Sequence, residues 1–167
     1  DGVEQSEIWG VFRVARRARP IRASLRRGED DRVIFEGAHD GYRRLPGKPI
    51  HSRIITYDGR GEWMIEDRLD GRGRHQMESY VHLHPNCRVT RTEQGMGITT
   101  SDGLPVATID PIGPCEVRIE RGWYFPEFGV RDENQVLVFS RSHEVPFGVS
   151  YRVRKVPMEP ERPGRGA

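Results

Sequence analysis

Apolar and polar residues alternate along this chain in short runs, the period-two signature of half-buried strands. Alternation or β-branched runs predict strands over Ile8–Ala18, Arg32–His39, Ile50–Tyr57, Trp63–Leu69 and His75–His84. They continue over Cys87–Thr92, Met96–Thr100, Pro105–Ile109, Cys115–Arg121, Gln135–Ser140 and Val149–Val156. Turn signals separate them, and Asp-Gly recurs at Asp58-Gly59, Asp70-Gly71 and Asp102-Gly103, a dipeptide that supplies the positive φ of tight hairpins. Helix is nearly absent: Arg13–Arg27 has a helix-like composition, but Pro20 interrupts it. The expected fold is all-β, an antiparallel β-sandwich of ten or more short strands with little or no helix.

Composition narrows the class. At 167 residues, with 19 Gly and 12 Pro, the chain is long enough to bury a core and too apolar to be a disordered tail. One sandwich domain is expected over residues 1–156, followed by a flexible Pro/Gly-rich tail over 157–167. Ile8, Phe12 and Val14 are expected to start a buried face at once, so the chain reads as part of a longer polypeptide. No apolar run approaches the ~20 residues of a membrane span. The net charge is only +2, and the arginines alternate with acids instead of forming a stripe, which argues against nucleic acid. Lys48 and Lys155 are the only lysines, and the other 25 cations are Arg. Arg forks suit carboxylates and sulfates, but a general composition bias explains the excess more simply.

Three histidine segments carry candidate chemistry. His39-Asp40-Gly41-Tyr42-Arg43-Arg44 closes a predicted strand, and His, Tyr and Arg together suit proton abstraction beside a carboxylate. His39 and Tyr42 are the catalytic candidates there, with Arg43 as a substrate-binding residue; the plainer reading is a polar turn. In Ile50-His51-Ser52-Arg53, His51 and Arg53 share one face of a strand. That pair suits an anionic sugar, and suits at least as well a cross-strand Asp or Glu. The Leu45–Pro49 connection should bring these two segments side by side. In Tyr80-Val81-His82-Leu83-His84-Pro85, His82 and His84 lie on one face and could share a divalent metal such as zinc, given a third ligand. A bare His-x-His is more often a hydrogen-bonded polar row. Trp123-Tyr124-Phe125-Pro126-Glu127-Phe128 could stack on a sugar, although a plug at the sandwich end is the favoured reading. Cys87 and Cys115 lack metal spacing and read as unpaired core residues before a disulfide.

An ordered series of segments carries a family resemblance. Gly2-Val3-Glu4-Gln5-Ser6-Glu7-Ile8-Trp9-Gly10 leads into Phe12-Arg13-Val14-Ala15-Arg16, followed by His39-Asp40-Gly41-Tyr42 and His51-Ser52-Arg53. Trp63-Met64-Ile65-Glu66-Asp67-Arg68-Leu69 and the stretch from His75 to His82-Leu83-His84-Pro85 continue it. The series resembles the C-terminal β-domain of heparinase II/III-like polysaccharide lyases, particularly the bacterial type associated with exopolysaccharide. It holds from Asp1 to about Pro85 and fades into a generic β-pattern toward Val156.

The resemblance implies an α/α toroid preceding the sandwich, and β-elimination of uronate-containing glycan in the cleft between them. It implies that the principal base residues sit in the toroid. A His-rich motif and a His-Asn-Thr element would lie upstream of Asp1. This chain would then buttress the catalytic domain and line the cleft near His39, Tyr42, His51 and Arg53, with an anionic polysaccharide as partner. It would be inactive alone, and a periplasmic or cell-envelope location follows from the same resemblance. The rivals are a noncatalytic carbohydrate-binding module and a purely structural sandwich.

Overall fold

The computed structural model describes residues 1–10, 12–28, 30–93 and 95–157. Among them no helix forms; thirteen strands do. They are β1 (Glu7–Gly10), β2 (Arg13–Arg16), β3 (Pro20–Arg27), β4 (Val33–His39), β5 (Ile50–Tyr57), β6 (Glu62–Asp70) and β7 (Arg74–His82). Then follow β8 (Cys87–Thr92), β9 (Gly95–Thr100), β10 (Pro105–Ile112), β11 (Glu116–Tyr124), β12 (Asp132–Glu144) and β13 (Phe147–Lys155). The tail expected over 157–167 falls, from residue 158 on, outside the described residues.

Every pairing is antiparallel. An eight-stranded sheet runs β3-β4-β5-β6-β13-β10-β9-β8, and a three-stranded sheet, β11-β12-β7, packs across it; β1 and β2 form a separate ribbon. The core shows which part of the large sheet is covered. Ile65 and Leu69 of β6, Phe147, Val149 and Tyr151 of β13, Ile109 of β10, and Met96 and Ile98 of β9 meet Met77, Leu137 and Phe139 of the small sheet. The Phe139 and Tyr151 rings stack at 4.4 Å. Strands β3, β4 and β5 contribute no fully buried apolar residue to this cluster, so the large sheet extends beyond the small one.

Three expectations are corrected. A strand not expected from sequence, β3, forms over Pro20–Arg27: Pro20 opens it as an edge strand, where a missing N–H is tolerated. Ile8, Phe12 and Val14 form no buried face, and Phe12 is 97% exposed. Strands β1 and β2, with Phe12 between them, make a ribbon of their own that no sheet among the described residues covers. Likewise the Trp123–Phe128 run does not plug the sandwich. It lies where the edge strand β11 ends, with Trp123, Phe125 and Phe128 exposed and the Arg131 guanidinium 4.4 Å from the Trp123 ring. Cys87 and Cys115 are both free and pack against the core.

Candidate functional site

The uncovered inner face of β3–β5 becomes one wall of a cavity of about 610 Å³. The edge of β7 (Gln76–Tyr80) and the segment Asp1–Gln5 form the others. Two anchors hold that segment. The Asp1 carboxylate accepts the Gln76 N–H at 2.9 Å and meets His75 Nδ1 at 2.7 Å, and Arg44 donates to the Gln5 carbonyl at 3.0 Å.

Register assembles the polar wall. His39 lies opposite His51, and Arg53 lies opposite Asp67, which β6 presents inward between Ile65 and Leu69. His51 Nδ1 is 3.0 Å from His39 Nε2, and His51 Nε2 is 2.8 Å from Asp67 Oδ1. Arg53 grips the same carboxylate with two prongs, Nε to Oδ1 and Nη2 to Oδ2, each at 2.7 Å. Ser79 of β7 donates to Oδ2 at 2.7 Å and accepts from Arg53 Nη2 at 3.0 Å, bridging the two sheets. Asp67 is 2% exposed and has every lone pair engaged. Burial pushes its acidity toward the neutral form. The hydrogen bonds from His51, Arg53 and Ser79, with the Arg53 charge, overcome this and hold the carboxyl well below the usual range.

Tyr42 sits on the turn between β4 and β5, its ring 5.4 Å from that of His39 and 6.5 Å from that of His51. The connection is the whole stretch from Asp40 to Pro49, longer than the Leu45–Pro49 link expected from sequence. Gly41 lets it pack closely: a Cβ there would stand 2.3 Å from the Gln5 carbonyl oxygen. Burial, with the Glu4 carboxylate, raises the Tyr42 phenol against the opposing pull of Arg44. His39 is lowered below 6.5 by burial, His51 and Arg53, against Asp40. Tyr42 Oη and Arg53 Nη1 make no hydrogen bond among the described residues, and both side chains line the cavity.

The structure thus brings His39, Tyr42, His51 and Arg53 together. Arg43 is exposed and lies outside the cavity lining, because the turn directs Arg44 inward to the Gly41, Glu4 and Gln5 carbonyls. His82 and His84 are exposed, and His84 Nδ1 accepts the Asn86 N–H at 3.1 Å. Among the described residues no three His, Cys, Asp or Glu side chains gather as metal ligands. Asp67 and Ser79 were missed from sequence. Their signal is a polar residue at a core position of an alternating strand, Ile65-x-Asp67-x-Leu69 and Met77-x-Ser79-x-Val81.

The family model described as Heparinase II/III-like, C-terminal matches residues 1–158. The chain belongs to that family. Among solved structures, heparan sulfate lyase HepC from Pedobacter heparinus is similar at a TM-score of 0.66 and 14% identity, over 84% of this chain and 22% of that one. The crystal structure of heparinase III is similar at a TM-score of 0.61 and 11% identity, over 91% of this chain and 23% of that one. No curated protein matches. This heparinase II/III-like chain therefore spans less than a quarter of the length of the solved lyases it resembles, and at such identities the likeness concerns the fold.

Proposed function

We propose that the chain is the β-sandwich part of a polysaccharide lyase that cleaves uronate-containing glycan by β-elimination, with the cavity as one wall of the substrate cleft. The observation that carries this reading is that Arg53 Nη1 and the Tyr42 hydroxyl, neither hydrogen-bonded among the described residues, line one open cavity in a sandwich of this family. β-Elimination needs the carboxylate neutralised so that the α-proton is acidic, a base to remove it, and an acid for the leaving oxygen. Arg53, half exposed and already fixed by Asp67, is suited to neutralisation. Tyr42, raised by burial, is suited to donating. The opposite wall and the base would come from an N-terminal toroid of the same protein.

Full-length protein and the 167-residue chain are to be assayed side by side on uronate-rich polymers, following absorbance of the unsaturated product. Activity is expected only in the longer protein, with Arg53→Ala reducing kcat/KM by about a hundredfold or more. Equal turnover by the short chain would move the active site into the sandwich.

The exposed Trp123–Phe128 run favours a second reading, a noncatalytic glycan-binding surface, since flat rings suit the C–H face of a sugar. Glycan binding by the short chain that is abolished by Trp123→Ala and indifferent to Arg53→Ala supports it.

A further inference from the structure

The hydrogen bonds around His39 and His51 admit one consistent placement of protons. The Gly41 N–H can only donate, and it points at His39 Nδ1 at 3.2 Å, so that nitrogen is bare. A neutral His39 then carries its proton on Nε2 and donates it to His51 Nδ1. His51 in turn carries its proton on Nε2 and donates it to Asp67 Oδ1. The chain runs one way, from the backbone of the Tyr42 turn to a buried carboxylate, and each ring nitrogen is occupied. For His39 to accept a substrate proton at Nδ1, the Gly41 bond must break and the turn holding Tyr42 must release. Arg53 is committed in the same way: two of its nitrogens serve Asp67, which leaves Nη1 outward.

We propose that Asp67 is the positioning residue of this cleft: through His51, His39 and Arg53 it leaves no imidazole nitrogen on this wall free to accept a proton, so that Arg53 Nη1 and the Tyr42 hydroxyl meet substrate oxygens and neither imidazole is the base. The wall therefore recognises anionic or lone-pair-rich oxygen, and the α-proton leaves to a group outside this chain. The ionisable groups facing the relay are Arg53 and Asp67 from β5 and β6, Asp40, Tyr42 and Arg44 from the turn, Tyr151 from β13, and Glu4 from the N-terminal segment. A proton added to the pair would convert His51 to a double donor, toward Asp67 and toward His39 Nε2. His39 would then carry its proton on Nδ1, facing the Gly41 N–H, and the turn would loosen.

The proton placement belongs to the chain whatever it binds, whereas its kinetic consequence rests on the lyase reading, and the two are tested separately. Long-range 15N–1H spectra of 15N-histidine-labelled full-length protein at pH 7, assigned with His39→Gln and His51→Gln, should show both rings neutral and protonated at Nε2. An Nδ1–H tautomer or an imidazolium at either position in the wild-type spectrum overturns the proposal. In kinetics, His39→Gln should lower kcat/KM by up to about a hundredfold through misplacement of Tyr42. The acidic limb of the pH profile should stay where it was. Disappearance of that limb would make His39 the base and overturn the proposal. Absence of elimination by wild-type protein on every uronate polymer would sink the lyase reading and leave the spectral result to stand or fall alone.

Discussion

Asp67 concentrates the stability of the cleft wall in one side chain. It is buried and shared by a cation, an imidazole and a hydroxyl, so truncation leaves Arg53 facing the interior without its counter-charge. Asp67→Ala should destabilise the protein by about 3–5 kcal/mol, as breaking buried pairs does. Its folded-state pKa is depressed below the ordinary value of 3.8 by its hydrogen bonds and the Arg53 charge, which outweigh burial. Its contribution is therefore whole above pH 3.8 and lost as the pH falls through the lower folded value. Denaturant titrations of wild type and Asp67→Ala should show a constant gap between pH 7 and about 4.5 that narrows in stronger acid. At this scale the sequence was half legible. His39, His51 and Arg53 announce themselves as unusual residues on neighbouring strands. Asp67 hides in a charged stretch between Glu66 and Arg68, and only its inward position distinguishes it.

Among the elements, β12 and the β4–β5 turn have the clearest consequences. β12 is the middle strand of the small sheet, and Leu137 and Phe139 are completely buried on it. Leu137→Ala should cost about 2–5 kcal/mol in denaturant unfolding, since strands on three sides leave little room for collapse. Gly41→Ala places a methyl against the Gln5 backbone, and overpacking of this kind costs about 1–3 kcal/mol. It should lower Tm and disturb Tyr42 while sparing the Phe139–Tyr151 core. Most strands could be read directly: β5 and β8 fall where alternation puts them. β3 could not, because its arginines and exposed faces carry no alternating signal and only pairing with β4 makes it a strand. The Trp123–Phe128 run failed for the opposite reason. Its composition is that of a core, but β11 is an edge strand and ends before the aromatics do.

At the level of the whole molecule, apolar surface is unevenly spent. Ile8, Trp9 and Phe12 of the β1–β2 ribbon are exposed, as are Ile21 and Leu25 of β3, so the ribbon contributes little to the stability of the sandwich. Phe12→Ser should change unfolding free energy by no more than about 0.5 kcal/mol, the range of surface substitutions. A drop of several degrees in Tm would mean that the ribbon packs more closely than these exposures indicate.

The mismatch between eight strands and three divides the sheet into two mechanical regimes. Amides of β6, β13 and β10, bonded on both sides and roofed by the small sheet, should exchange with solvent deuterium only through global unfolding. Those of β3 and β4, outside the buried core under the small sheet, should exchange through cheaper local openings. His51 and Arg53 stand on β5, at the seam between the two regimes, so an occupant of the cavity would tie the soft strands to the stiff ones. Glycan binding should then register as slowed deuterium uptake in β3 and β4, strands with no fully buried residue, with β13 unchanged.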